Sequence, residues 1–258
     1  MKKNHFFIAY AGNKRNEVER IYDSIKDKLT DIEYIVEPFC GTSAFSYYMS
    51  LKHPKKFKYI LNDNNNYLIE LYKTAQDDDK FNELILEINN KIIDIDKEKY
   101  ITIINQPCLS SYVIKNTFYA IRPGMFPIPG SRKMRTDYNY LKDAPIIKFL
   151  KTEDITFYSD NAINIFEMYN NNDKALIFLD PPYVQLNNDF YLDSSTNIYE
   201  YLCNNSIKNM RSYIMLVLED NWIIKLLFRH HTFITYDKLY QASKKQTKHL
   251  IINNSKAI

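Results

Sequence analysis

The chain has 258 residues, of which 45% are hydrophobic and 25% are charged, as in an ordinary globular protein. This length suits one large α/β domain, or a domain that carries a sizeable insertion. The formal net charge of +3 permits binding to nucleic acid but does not indicate it, because dedicated electrostatic binders are more basic and cluster their charge.

The three cysteines are far apart and form no Cys-x-x-Cys pair, so the sequence predicts neither a metal site nor a disulfide framework. No segment approaches the roughly 20 apolar residues that span a bilayer, and the apolar run near the N-terminus is too short for a signal peptide. We therefore expect an intracellular, cytoplasmic protein without a membrane partner. Heavy use of Lys, Asn, Ile and Tyr is typical of an AT-rich genome, such as that of a bacterium, a phage or a large DNA virus.

The first part of the chain alternates predicted helices and strands. Apolar residues at helical spacing predict helices, and short apolar runs predict strands. In chain order these elements are helix 16–29, strand 34–36, helix 43–51, strand 57–61 and helix 67–74. This order indicates a parallel βαβ unit.

The pattern changes from residue 76. Helical spacing predicts helices over 81–93, 97–104 and 138–150. The intervening segment 115–135 is rich in Pro, Gly, Arg and aromatic residues, which predicts a hairpin or an extended loop.

The strand rhythm then resumes. In chain order the predicted elements are strand 155–158, helix 162–169, strand 175–179, helix 197–211, strand 214–218, helix 221–228, and strands 233–239 and 249–253. We predict an α/β fold with a Rossmann-like, doubly wound sheet. Residues 1–75 and 151–258 would form the catalytic domain, and residues 76–150 a mainly helical insert that carries a hairpin.

Four predicted strands end in acidic or glycine-containing loops. Since ligands bind outside the carboxyl ends of parallel strands, Gly41, Asp63, Asp160 and Asp180 outline one site. Gly41 would let the backbone approach a cofactor, and Asp63 suits the hydroxyls of a ribose or, alternatively, the N-cap of the next helix. The loop lacks Gly-x-Gly-x-x-Gly, which disfavours a nicotinamide cofactor.

Asp180-Pro181-Pro182-Tyr183 is the most specific motif, because it follows the apolar run 175–179 and two prolines forbid its continuation as a strand. An aromatic amine such as that of adenine is a poor nucleophile, since its lone pair is delocalised. Asp180 and the Pro181 carbonyl could accept the two amine hydrogens, and Tyr183 could stack on a flipped base. The alternative is a proline-rich strand terminator with a surface tyrosine.

The chain resembles the Dam-type, alpha-group N6-adenine DNA methyltransferases along most of its length. The motifs that carry the resemblance are Ala9-Tyr-Ala-Gly-Asn-Lys14, Glu37-Pro-Phe-Cys-Gly-Thr-Ser43, Leu61-Asn-Asp-Asn64, Phe157-Tyr-Ser-Asp160, Asp180-Pro-Pro-Tyr183 and His249-Leu-Ile-Ile-Asn-Asn254. The resemblance implies methyl transfer from S-adenosyl-L-methionine to the N6 amine of adenine in duplex DNA. It implies a cofactor site formed by Tyr10, Lys14, Phe39, Gly41, Asp63, Asp160 and Asp180, and a catalytic group of Asp180, Pro181 and Tyr183.

The insert occupies the position of the family's target-recognition region, and its segment Tyr119–Gly130 is similar to the family's hairpin. Arg122, Arg132, Lys133 and Arg135 could contact phosphates or bases there, or could form a solvated basic loop. We expect Trp222 to pack on the sheet rather than bind a base.

The chain departs from the family pattern in this hairpin and at Asn13 and Ser43, where the family has glycine. Two alternatives therefore stay open, namely methylation of adenine in RNA and a catalytically silent paralogue that binds nucleic acid. Possible protein partners are a second copy of the chain and a companion restriction nuclease.

Overall fold

The computed structural model describes residues 6–8, 10, 12–117, 137–182, 198–205, 207–239 and 246–254. The strands are β1 (Tyr34–Glu37), β2 (Lys58–Asn62), β3 (Asp154–Tyr158), β4 (Ala175–Leu179), β5 (Tyr213–Glu219), β6 (Phe233–Leu239) and β7 (Gln246–Asn253). The α-helices are α1 (Val18–Asp23), α2 (Ala44–Lys52), α3 (Asn66–Gln76), α4 (Asp78–Lys91), α5 (Lys97–Ile104), α6 (Leu109–Thr117), α7 (Ile146–Thr152), α8 (Ala162–Tyr169), α9 (Ile198–Asn204) and α10 (Trp222–Leu227). Short 3-10 helices occupy Lys26–Lys28, Asn139–Asp143 and Ile207–Asn209.

The chain divides into two compact units. One, here called the helical unit, comprises Met1–Asn13 and Asn66–Thr152, and the other, the sheet unit, comprises Lys14–Asn65 and Glu153–Ile258. Within the described residues all seven strands belong to the sheet unit. None of the described helices is both long and apolar enough to cross a membrane.

The sheet has the strand order β3-β2-β1-β4-β5-β7-β6. Strands β3, β2, β1, β4 and β5 are parallel, whereas β7 runs antiparallel between β5 and β6. The central strand β4 is buried along its whole length, as its unbroken apolar run requires when both faces of a parallel sheet are covered. The predicted Rossmann-like α/β fold is confirmed.

The helical unit packs α3 against α4, α6 and α7. Phe6 and Phe7 belong to this unit, and their rings contact Tyr72 and Phe81 at centroid distances of 5.4 and 5.5 Å. The side chain of Asp77 caps α4 by accepting hydrogen bonds from two backbone N–H groups of its first turn, which explains why this helix begins at Asp78.

Four predicted elements differ from the structure. The helix predicted over 16–29 is instead α1 followed by a 3-10 turn. The helix predicted over 138–150 is a 3-10 turn followed by α7, because Pro145 forces Ala144 into an extended conformation with ψ of 124°.

The helix predicted over 197–211 is the shorter α9 with a separate 3-10 turn. The predicted hairpin or loop over 115–135 is wrong at its start, because α6 continues to Thr117. The rest of that segment lies outside the described residues.

Candidate active site

The site lies where the order of the sheet reverses. Strands β2 and β3 continue from one side of β1, whereas β4 and β5 continue from the other, so the loops that follow β1 and β4 separate at their carboxyl ends. Such a switch point is where open α/β sheets bind ligands. Glu37 ends β1 and Asp180 follows β4, which puts a carboxylate on each side of the crevice.

The loop after β1 turns sharply into α2. Gly41 and Ser43 both adopt positive φ, 46° and 48°, and the Ser43 N–H donates to the Cys40 carbonyl at 2.6 Å. Ser43 stands at the N-cap of α2, yet its side chain makes no capping hydrogen bond. Instead the Ser46 N–H of the first turn donates to Glu37 Oε1 at 2.8 Å, so Glu37 caps the helix from the neighbouring strand.

Glu37 is 2% exposed and has an unusual charge state for a carboxyl group. Burial raises the pKa of Glu37, and the nearby negative charge of Asp180 raises it further, while the Ser46 hydrogen bond opposes both effects. The resulting pKa is about 8, so Glu37 is mostly protonated at neutral pH. The sequence motif contains this residue, but sequence reasoning gave it no role in the site.

Asp63 follows β2 and is also buried. Its Oδ2 accepts a hydrogen bond from the Gly41 N–H at 3.1 Å, and its Oδ1 accepts one from the Asn65 N–H at 3.0 Å. The structure therefore brings together the predicted residues Gly41 and Asp63. The bond to Asn65 orders the turn just before α3, which is a local role other than ribose binding. A carboxylate oxygen can accept more than one hydrogen bond, so the two roles are compatible.

Asn62, to which sequence reasoning assigned no role, joins the loops of three strands. This fully buried side chain donates to the carbonyls of Pro38 at 2.9 Å and Asp160 at 3.0 Å, and its Oδ1 accepts the Asp160 N–H at 2.9 Å. Its own carbonyl accepts the Cys40 N–H at 2.7 Å. The sequence signal for this role is an amide that follows the apolar run 59–61 at the last position of the strand.

The remaining cofactor candidates of this unit lie beside these loops. Asp160 is exposed, and its Oδ1 accepts hydrogen bonds from the Asn161 N–H at 2.6 Å and from the Asn164 side chain at 3.0 Å. Phe39 is half-buried and packs against the hydrophobic core that the strands help to form. Asp160 thus orders the start of α8.

Asp180 is paired with Lys14. Lys14 Nζ lies 2.6 Å from Asp180 Oδ2, and the two side chains are 4% and 16% exposed. Burial raises the pKa of Asp180, while the positive charge of Lys14 opposes that rise by favouring the ionised form. The resemblance assigned Lys14 to the cofactor, and the structure adds a direct contact with the catalytic candidate.

The prolines after Asp180 stiffen the turn, and a tyrosine from α9 holds it in place. The Tyr199 hydroxyl donates to the Pro182 carbonyl at 2.9 Å. Among the described residues, no group donates to the Pro181 carbonyl, and Asp180 Oδ1 has no partner. The turn therefore presents two hydrogen-bond acceptors from adjacent residues.

Two more predicted residues, Tyr10 and Trp222, lie among the described residues. Tyr10 is half-buried and belongs to the helical unit. Trp222 is 73% exposed, so the expectation that it packs on the sheet is wrong. Its position opens the short helix α10, whose buried position is Ile224. Further predicted residues lie outside the described residues, namely Tyr183, Arg122, Arg132, Lys133 and Arg135.

Comparison with known proteins agrees with this architecture. A family model described as D12 class N6 adenine-specific DNA methyltransferase matches residues 10–242. The Type II methyltransferase M.CviBI of Paramecium bursaria Chlorella virus NC1A is 22% identical, over 96% of this chain and 98% of that protein. The Type II methyltransferase M.MjaIII of Methanocaldococcus jannaschii is 29% identical over a shorter stretch, 36% of this chain and 33% of that protein.

The description of the family names DNA as the substrate, in agreement with the first interpretation of the sequence and against the RNA alternative. The family model also spans the segments that form the candidate active site, and the Dam-type resemblance is confirmed. The protein belongs to the D12 class of N6 adenine-specific DNA methyltransferases.

Proposed function

We propose that this enzyme transfers a methyl group from S-adenosyl-L-methionine to the N6 amine of an adenine flipped out of duplex DNA, and that Asp180 and Pro181 activate the amine. One observation carries the assignment. Asp180 follows the central strand at the switch point of the sheet, with one carboxylate oxygen held by Lys14 and the other without a partner among the described residues.

The proposed activation uses hydrogen-bond geometry. The amine of adenine is nearly planar because its lone pair is delocalised into the ring. When Asp180 Oδ1 and the Pro181 carbonyl each accept one amine hydrogen, the nitrogen is drawn towards tetrahedral geometry and its lone pair becomes available. Ionised Asp180 accepts a hydrogen bond more strongly than protonated Asp180, and the positive charge of Lys14 favours the ionised form. Tyr183 is proposed to stack on the flipped base.

The donor set near the switch point fits the cofactor. A positive-φ glycine at position 41 leaves room for an adenosyl group where a Cβ would intrude, and the carboxylate of Asp63 suits ribose hydroxyls. S-adenosyl-L-methionine, when bound, supplies an electrophilic methyl group on a sulfonium centre. Further proposed contacts come from Tyr10, Lys14, Phe39, Asp160 and Asp180.

We further propose that the insert reads the DNA target, with Arg122, Arg132, Lys133 and Arg135 on phosphates or bases. The enzyme would then act inside cells, where its DNA substrate is. The names of both relatives include Type II methyltransferase, which supports a companion restriction nuclease as a partner. A homodimer is the other proposed assembly.

Asp180→Asn tests the catalytic assignment, because it keeps the shape of the side chain while replacing an anionic acceptor with a neutral amide. We expect methyl transfer to unmethylated duplex DNA of mixed sequence to fall at least about 100-fold. Incorporation of tritium from labelled S-adenosyl-L-methionine measures the rate. A matched control is Asp173→Asn, which changes an exposed aspartate paired with Arg211 and should leave the rate unchanged.

Equal incorporation by the wild type and Asp180→Asn would disprove the assignment of Asp180. Isothermal titration calorimetry with S-adenosyl-L-methionine tests the cofactor separately. We expect the wild type to bind S-adenosyl-L-methionine and Asp63→Ala to bind it more weakly. The methylated base in the DNA product is identified separately by digestion and mass spectrometry.

A further inference from the structure

A buried cluster of charged and polar side chains surrounds Glu17 in the sheet unit. Lys238 Nζ lies 2.6 Å from Glu17 Oε1, His249 Nδ1 lies 2.9 Å from Glu17 Oε2, and the Tyr236 hydroxyl donates to Oε2 at 2.7 Å. Glu17 and His249 are 5% and 0% exposed. None of these four residues entered the predicted site, because strands β6 and β7 bring them together from distant parts of the sequence.

The backbone connects this cluster to the catalytic candidate. The Lys14 carbonyl accepts hydrogen bonds from the N–H groups of Glu17 at 2.7 Å and Val18 at 3.0 Å, which form the turn that leads into α1. The Glu17 side chain therefore anchors this turn to β6 and β7, while the Lys14 side chain at the start of the same turn reaches Asp180. Anchoring this turn therefore fixes the backbone from which the Lys14 side chain reaches Asp180.

We propose that Glu17 and Lys238 are positioning residues that hold Lys14 on Asp180 and set the fraction of Asp180 that is ionised. The inference rests on the proposed function, since it concerns the carboxylate that is proposed to accept the amine hydrogen. It extends the site from the switch point to the antiparallel edge of the sheet.

Charge balance supports the proposal. Two largely buried ion pairs lie here, Lys14 with Asp180 and Lys238 with Glu17, so each of these charges has an opposite partner. Burial alone would raise the pKa of Glu17. The contact with His249 and the charges of Lys14 and Lys238 outweigh burial and lower the pKa of Glu17 to about 2. Glu17 is therefore ionised throughout the working pH range.

The charged groups near Asp180 each raise or lower its pKa. The positive charges of Lys14 and Lys238 lower the pKa of Asp180, and the negative charge of Glu17 raises it. Glu37 and Tyr236 are near enough to interact with its charge, but both are neutral around pH 7, because burial raises the pKa of each group. Glu17 and Lys238 thus have opposite effects on Asp180.

This opposition defines the experiment. In Glu17→Gln the amide oxygen can still accept a hydrogen bond from Tyr236 or Lys238, so the turn keeps an anchor while the negative charge is lost, and the pKa of Asp180 should fall by about half a unit. In Lys238→Met, loss of a positive charge should raise that pKa by a similar amount. The carboxyl signal of Asp180 is followed by carbon-13 NMR in the full-length protein without DNA. Its assignment comes from the signal that disappears in Asp180→Asn.

The pH dependence of single-turnover methyl transfer gives the second readout. Because activity requires ionised Asp180, the acid limb of the profile should move to lower pH in Glu17→Gln and to higher pH in Lys238→Met. Tyr236→Phe removes a hydrogen bond to Glu17 without removing a charge. It should therefore leave unchanged both the pKa of Asp180 measured by NMR and the acid limb of the pH–rate profile. A merely structural role for Glu17 would reduce the rate without moving the limb.

The double variant Glu17→Gln/Lys238→Met restores the charge balance, so its Asp180 pKa should lie below that of Lys238→Met and near that of the wild type. If Glu17→Gln does not fold, this pair of variants carries the test. Shifts of the same sign in Glu17→Gln and Lys238→Met, or no shift in either, would overturn the inference. Full activity of Asp180→Asn would instead overturn the proposed catalytic role of Asp180. The NMR titration would still show whether Glu17 and Lys238 shift the pKa of Asp180.

Discussion

At the scale of single residues, Glu37 is the least expected feature of the site. A carboxyl group whose pKa is about 8 in the folded protein and 4.5 in the unfolded chain binds one more proton when folded over that interval. The free energy of unfolding must therefore fall as pH rises from about 4.5 to about 8. The full loss of stability caused by ionising this buried carboxyl is reached only above its folded pKa of about 8.

Glu37→Gln should remove that dependence, because glutamine keeps an oxygen that can accept the Ser46 N–H but does not titrate. We expect the variant to gain stability relative to the wild type as pH rises from 5 to 8, by on the order of 3 kcal/mol. Urea unfolding at several pH values measures this. The exposed Glu83→Gln is the control, and parallel curves for wild type and Glu37→Gln would contradict the prediction.

Ser43 offers a second prediction at this scale. Its φ of 48° lies in the left-handed region, where a side chain with a Cβ costs about 1–2 kcal/mol and a β-branched one costs more. Ser43→Gly relieves that cost but increases the entropy of the unfolded chain, so its free energy of unfolding should stay within about 1 kcal/mol of the wild type.

Ser43→Val should destabilise the protein by at least about 2 kcal/mol in the same urea experiment, since it adds branching and volume at a fully buried position. Ser43→Ala separates loss of the hydroxyl from the backbone effect. A valine variant as stable as the glycine variant would show that the left-handed conformation is not maintained in solution.

At the scale of elements, the sequence located most helices and strands because their apolar spacing is local. The apolar run 175–179 is β4 residue for residue, and the span predicted for the helix 162–169 is that of α8. The failures have local causes too. Pro145 divides the helix predicted over 138–150, and the polar residues within α6 concealed a helix whose buried positions include Leu109, Val113 and Thr117.

The hydrogen bonds that connect loops of different strands were harder to predict, and those of Asn62 are the clearest example. Asn62→Leu keeps a similar volume but leaves the carbonyls of Pro38 and Asp160 without their donor, so we expect a loss of about 2–4 kcal/mol in the free energy of unfolding. S-adenosyl-L-methionine should also bind more weakly, because three loops lose their common anchor. Calorimetry and urea unfolding measure the two effects.

Asn161→Ala is the matched control for Asn62→Leu. It removes a helix cap that accepts a single N–H, from Ile163, and should cost only about 1 kcal/mol. Similar losses in the two variants would mean that Asn62 is an ordinary cap rather than a joint of three loops.

At the scale of the whole molecule, the meeting of the strand-end motifs at one edge of the sheet was predictable and the charge cluster was not. Asp180, Asp63 and Gly41 sit in short motifs at strand ends, where chain order alone brings them to one edge of a parallel sheet. Glu17, Lys238 and His249 meet only because β7 inserts antiparallel between β5 and β6. No local pattern in the sequence encodes that insertion.

If the insert binds the DNA target while the catalytic domain transfers the methyl group, basic residues of the insert should set how DNA affinity depends on salt. Arg132→Ala/Lys133→Ala/Arg135→Ala should weaken duplex binding and reduce the slope of log K against log salt by about one for each phosphate that is no longer neutralised. Fluorescence anisotropy at several salt concentrations measures the slope. Lys28→Ala/Lys58→Ala/Lys208→Ala removes the same charge from exposed positions outside the insert and should change the slope less. Equal slopes for the two triple variants would argue against the assignment of the insert.

The antiparallel insertion of β7 also has a consequence for biosynthesis. The charge cluster joins the turn that begins at Lys14 to strands near the other end of the sequence, so its contacts close very long loops of chain. A nascent chain emerging from the ribosome cannot complete the cluster until His249 has been translated. Methylating activity should therefore appear only after β7 has emerged from the ribosome.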